Sequence, residues 1–158
     1  MLSEQSSEPP AAPEIETPTT NPDWLPRWEL IALVAGDMFV LILFVLLGRA
    51  SHSVRAGQGA LMAFANTAAP FILAWVLVGT VVGMYSGRAL YPLGRVIWRT
   101  ALAALLAAPL GVVMRAVWLA RPVAASFVVV ATLATLVMML IWRVGWSRLR
   151  RLWWPELP

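Results

Sequence analysis

Four stretches of this chain are apolar over the distance needed to cross the hydrocarbon of a bilayer, roughly 20 residues at about 1.5 Å per residue. They run from about Leu30 to Leu47, Thr67 to Tyr85, Val96 to Ala120 and Val123 to Trp142. Lipid offers no partner to an exposed N–H or C=O, so a spanning backbone must satisfy itself, and unbroken apolar runs of this length do so as helices. The spacing predicts an all-α membrane protein with four transmembrane helices. Pro26 and Trp28 introduce the first helix, and Gly48 and Arg49 close it. Pro70 falls in the first turn of the second, where a missing N–H costs least. Residues 86–95, SGRALYPLGR, read as a loop. The Arg121-Pro122 connection is short enough to make the last two helices antiparallel, so an up-down bundle is expected. Residues 49–66 are too polar to span but could hold a short surface helix.

The charges divide the chain further. Glu4, Glu8, Glu14, Glu16 and Asp23 lie in a Pro-, Ser- and Thr-rich start with no basic residue before Arg27. Such a composition cannot offset its own chain entropy, so residues 1–28 are expected to form an acidic tail whose first part is disordered. The tail lacks the positive start and early apolar stretch of a secretory signal. A transmembrane domain over 29–143 and an Arg/Trp-rich interfacial segment over 144–158 follow. Arg27, Arg88, Arg95, Arg99, Arg143, Arg148, Arg150 and Arg151 flank one side of the four spans. The other side has Arg49, Arg55 and Arg121, with Arg115 near it. Cationic loops resist translocation, so both termini should be cytoplasmic. In VGWSRLRRLWW the apolar and Arg positions fall mostly on opposite faces of a helix, which makes Arg148, Arg150 and Arg151 a candidate surface for anionic lipid headgroups or for an acidic partner.

Composition closes several chemistries. The chain has no cysteine and a single histidine, His52, which excludes disulfides, thiol nucleophiles and any site needing two imidazoles. All twelve basic residues are Arg, so there is no Lys for a Schiff base or a phosphate-binding loop. No metal and no cofactor is expected. The arginines flank apolar segments without forming a stripe, and no nucleic-acid partner is expected. Lys-free, Arg- and Ala-rich usage suggests a GC-rich bacterial genome and the plasma membrane.

The polar groups at depth are the candidates for function. Asp37 lies well inside the first span, where an ionised carboxylate costs about 2.5–3.5 kcal/mol even on lenient scales; it should face the bundle, either protonated or paired. Arg115, in the outer half of the third span, lies at a different depth, which disfavours a direct salt bridge to Asp37 and favours snorkelling towards Arg49 and His52. A Ser-His-Asp triad from Ser51 or Ser53, His52 and Asp37 is disfavoured by distance along the helix. Gly79, Gly83 and Gly87 repeat every four residues, a groove for helix packing against Ala104, Ala108 and Gly111 or, alternatively, for a homodimer. Pro109 should kink the third helix.

The order of these residues resembles the domain-of-unknown-function 3054 family of small prokaryotic membrane proteins: Asp37, then GRASH at Gly48 to His52, APF at Ala69 to Phe71, Arg115, Ser126-Phe127 and Trp142-Arg143. The resemblance covers about Glu29 to Arg143 and implies a fold without a mechanism. Three classes of function stay open. A structural or accessory membrane component, with a homo-oligomer or membrane-protein partner, needs no further feature and is favoured. A small proton-linked transporter would titrate Asp37, with His52 and Arg115 at its outer mouth. An enzyme is not expected, since no nucleophile, base and orienting group come together. On this reading Asp37→Asn should leave the bundle at least as stable, unless Asp37 pairs with an arginine inside it.

Overall fold

A computed structural model describes residues 25–50, 59–87, 90, 92–120 and 122–153. Residues 1–24 of the expected tail, together with Ser51, His52, Ser53, Arg55, Arg88, Arg121 and the last five residues, lie outside this set, whereas Arg27 and Trp28 belong to the first helix. Four helices make up the described chain: α1 (Arg27–Ala50), α2 (Ala60–Val81), α3 (Leu93–Trp118) and α4 (Ala125–Trp153). Each is long and apolar enough to cross a membrane. They pack as a ring in chain order, α1 against α2, α2 against α3, α3 against α4 and α4 back against α1.

The helix limits depart from the hydropathy breaks in instructive ways. α2 begins at Ala60, after Gly59 in a left-handed conformation, so Pro70 is interior and buried rather than in a first turn. α2 also ends earlier than the apolar run does. Gly83 adopts φ +70, its N–H bonds the Thr80 carbonyl, and the Met84 N–H bonds that of Gly79. That is the paired-bond termination in which the residue after the cap is left-handed and therefore usually glycine. Gly83 thus stops the helix and is not part of a packing stripe along it. α3 continues through Pro109 without a break. α4 is a single 29-residue helix with no break after Trp142, about 43 Å long against a hydrocarbon thickness of about 30 Å. Residues 144–153, the described part of the expected interfacial segment, continue α4 without a break.

Packing is layered along the bundle. At one end Leu25, Leu33 and Leu90 cluster with Trp146. The middle layer holds Val40, Leu41, Trp75, Met84, Ala103, Ala104, Ala107 and Met139. The far layer is Phe71, Val112 and Ala131, flanked by Phe44, Phe127 and Val128. Small residues set how closely α2 and α3 approach: a Cβ on Gly111 would come within 2.8 Å of the Phe71 ring and 3.1 Å of its Cα. On the Ala104, Ala108 and Gly111 face, Gly111 therefore receives α2 at Phe71, and Ala104 shares the middle layer with Trp75.

Candidate functional site

Between the first two layers sits Asp37, fully buried on α1. Four side chains from three other places in the fold converge on its two oxygens. Trp75 of α2 donates its indole N–H to Oδ2 at 2.9 Å, and the Tyr85 hydroxyl, from the α2–α3 turn, donates to the same oxygen at 3.1 Å. Trp142 of α4 donates its indole N–H to Oδ1 at 3.1 Å. Arg143 completes the set as a fork, Nε to Oδ1 at 2.9 Å and Nη2 to Oδ2. Its remaining Nη1 donates to the Met84 carbonyl at 3.2 Å, and its guanidinium lies 5.3 Å from the Tyr85 ring centre.

Indole and guanidinium nitrogens only donate, so Trp75, Trp142 and Arg143 can meet the Asp37 oxygens only as acceptors, and the Tyr85 hydroxyl is the one group of the four that could also accept. A bidentate Arg–carboxylate pair is the strongest and most directional form of such a contact. Burial, followed by the adjacent Asp37 charge, pushes the Tyr85 phenol well above its ordinary value, so its O–H remains a donor.

Local sequence makes room for these rings. A Cβ on Gly36 would stand 1.8 Å from the Trp142 ring, so the residue before Asp37 must lack a side chain for that indole to lie against α1. Gly79 does the same for Tyr85 more gently, with a 3.2 Å approach. The turn carrying Tyr85 is held by two arginines. Arg99 donates to the Gly83 carbonyl at 2.8 Å and to the Ser86 hydroxyl at 3.2 Å, beside the bond from Arg143 to Met84.

A second acid–arginine pair joins α1 to α4 about two turns away. Glu29 and Arg150 approach to 2.6 Å and both are buried. This corrects the reading of Arg150 as a lipid or partner surface; only Arg148 and Arg151 of that trio face outward. Arg115 is half-buried with its guanidinium 5.7 Å from the Phe127 ring centre, and Arg49 is half-buried near the end of α1. Asp37 therefore pairs with an arginine inside the bundle, and that arginine is Arg143. In the sequence Arg143 reads as the flank of a span and Tyr85 as an interfacial ring, and nothing marks Trp75 or Gly36. The missed signal was a matched spacing: Glu29 and Asp37 lie about two turns apart on one helix, Arg143 and Arg150 about two turns apart on another.

Residues 34–146 match the family described as protein of unknown function (DUF3054). The chain belongs to that family. No characterised protein and no solved structure gives a match. In this DUF3054 protein the short motifs scattered through the sequence meet in space as pairs. Asp37 receives Trp142-Arg143, and Arg115 lies over the Phe127 of Ser126-Phe127. Phe71 of Ala69 to Phe71 fills the space left by Gly111. The Asp37 assembly lies wholly within the matched DUF3054 region, whereas Glu29 and Arg150 lie outside it.

Proposed function

We propose that this protein is a structural or accessory component of a bacterial plasma membrane, an antiparallel up-down bundle with both termini in the cytoplasm, in which Asp37 fastens the helices together. The observation that carries this reading is the saturation of Asp37: every contact described on its carboxylate is a donor from the same chain, drawn from α2, the α2–α3 turn and α4. A carboxylate bound in this way is a poor carrier for a proton or a substrate. The Glu29–Arg150 and Asp37–Arg143 pairs favour opposite directions for α1 and α4, because the residue nearer the start of α1 meets the one nearer the end of α4. The lipid- or partner-facing sides of the helices remain the surfaces through which such a component would act. No catalytic step is assigned to it.

Reporter fusions after residues 60, 92, 122 and 158 test the topology, and should read outside, inside, outside, inside. An outside reading at 92 overturns it. The competing reading, a proton-linked permease using Asp37, requires pH-dependent flux in reconstituted vesicles that disappears in Asp37→Asn while the bundle stays folded. Loss of folding in that variant, without any flux in the native protein, supports the structural role.

A further inference from the structure

Both carboxylates among the described residues, Glu29 and Asp37, are fully buried and engaged by Arg150 and Arg143. The described surface is consequently free of acidic side chains, while four arginines point outward: Arg27, Arg95, Arg148 and Arg151. All four sit at one end. Glu29 and Arg150 bring the start of α1 beside the end of α4, which places Arg27 near Arg151. Arg99 and Arg143 grip adjacent carbonyls of the α2–α3 turn, Gly83 and Met84, so Arg95 and Arg148 each lie about one turn outward from a common level. Exposed indoles from the same three helices, Trp28, Trp98 and Trp153, accompany them. At the opposite end the described arginines, Arg49 and Arg115, are half-buried.

We propose that this end is a docking ring for anionic phospholipid headgroups, a proposal that rests on the reading of the chain as membrane-spanning. Indoles suit the headgroup level, being apolar in body and polar at the N–H, and arginine can bind a phosphate through two parallel N–H bonds. The α4 overhang carries Arg148 and Arg151 beyond the hydrocarbon, where phosphates lie. Burying these two carboxylates has a second consequence here: the described residues at this end present no negative charge to those headgroups.

The test is thermal unfolding of the full chain in neutral detergent, with phosphatidylglycerol or phosphatidylcholine added to the micelles. Phosphatidylglycerol should raise Tm by roughly 3–8 °C more than phosphatidylcholine does. The difference should shrink in 1 M salt, where the Debye length is about 3 Å. A variant with Arg27, Arg95, Arg148 and Arg151 all changed to Gln should retain its near-ultraviolet circular dichroism and lose the difference, whereas Arg49→Gln should keep it. Equal responses to the two lipids, or a full response in the fourfold variant, overturn the proposal. So does a response that emerges only after residues 1–23 are deleted, because the acidic tail would then occupy the ring in the intact chain. Failure on any of these counts leaves membrane insertion itself untouched, since the reporter fusions read that separately.

Discussion

Two acid–arginine pairs join the same two helices, yet they are built to different standards. Asp37 and Arg143 lie between packed layers, and the carboxylate takes both arms of the guanidinium together with two indoles and a phenol. Glu29 and Arg150 meet at 2.6 Å near the end of the bundle, and the side chains that engage Glu29, Arg150 and Trp146, both come from α4. The contrast shows that burial alone does not make an ion pair a fastening point. Donors from several elements must share one acceptor, so that losing the acceptor leaves each of them unsatisfied in a medium without water.

The largest effect should come from breaking the inner pair on one side. Asp37→Asn or Arg143→Gln should destabilise the bundle by about 3–5 kcal/mol, the usual cost of stranding a buried charge. Unfolding by denaturing detergent should show it. The sequence predicts tolerance of asparagine at position 37 only if Asp37 has no arginine partner, and with Arg143 bound its amide would turn N–H groups towards a ring of donors.

Next in size is Gly36→Ala. Its methyl group would displace the Trp142 ring and remove one indole donor from Asp37, at a cost of about 2–3 kcal/mol, and should red-shift tryptophan emission if the ring swings outward. An unchanged spectrum and stability would mean that Trp142 is not held against α1.

Tyr85→Phe removes one donor of five and should cost about 1–2 kcal/mol. The same variant gives a pH signature. Folding raises the Tyr85 phenol above its ordinary value of 10.0, so in alkali the unfolded chain loses this proton first. Stability should be flat below that value and decline as pH rises beyond it. In Tyr85→Phe the decline should be smaller.

The outer pair sharpens the comparison from the other side. Glu29→Gln should cost only about 1 kcal/mol, because Arg150 stands near a helix end from which its long stem can reach water or headgroups. A loss equal to that of Asp37→Asn would show that the two pairs are equivalent after all.

What could be read in the sequence followed from hydropathy, a property summed over many residues. The membrane class and the four spans come from such sums, and the inward direction of Asp37 from the cost of one carboxylate in lipid. The partner of Asp37 could not be found that way, since the fourth apolar run stops at Trp142 and Arg143 then looks like a positively charged flank. The inward face of α4 continues through it: Ala131, Thr135, Met139, Arg143, Ser147 and Arg150 are all buried. Their helical spacing does not depend on polarity. Gly83 was misleading for a related reason, because a four-residue glycine repeat fits a packing groove and a helix stop equally well until its φ is known. Gly36 gives no sign in sequence, since its importance depends on a ring more than 100 positions away.

The most direct test of Asp37 as the fastening point is a double-mutant cycle between Asp37→Asn and Arg143→Gln, read as unfolding free energy in the same detergent. If the two side chains act as one unit, the double variant should be no less stable than either single variant, with a coupling of about 3 kcal/mol. Purely additive losses would contradict it, and Asp37 and Arg143 would then stabilise the bundle independently of each other.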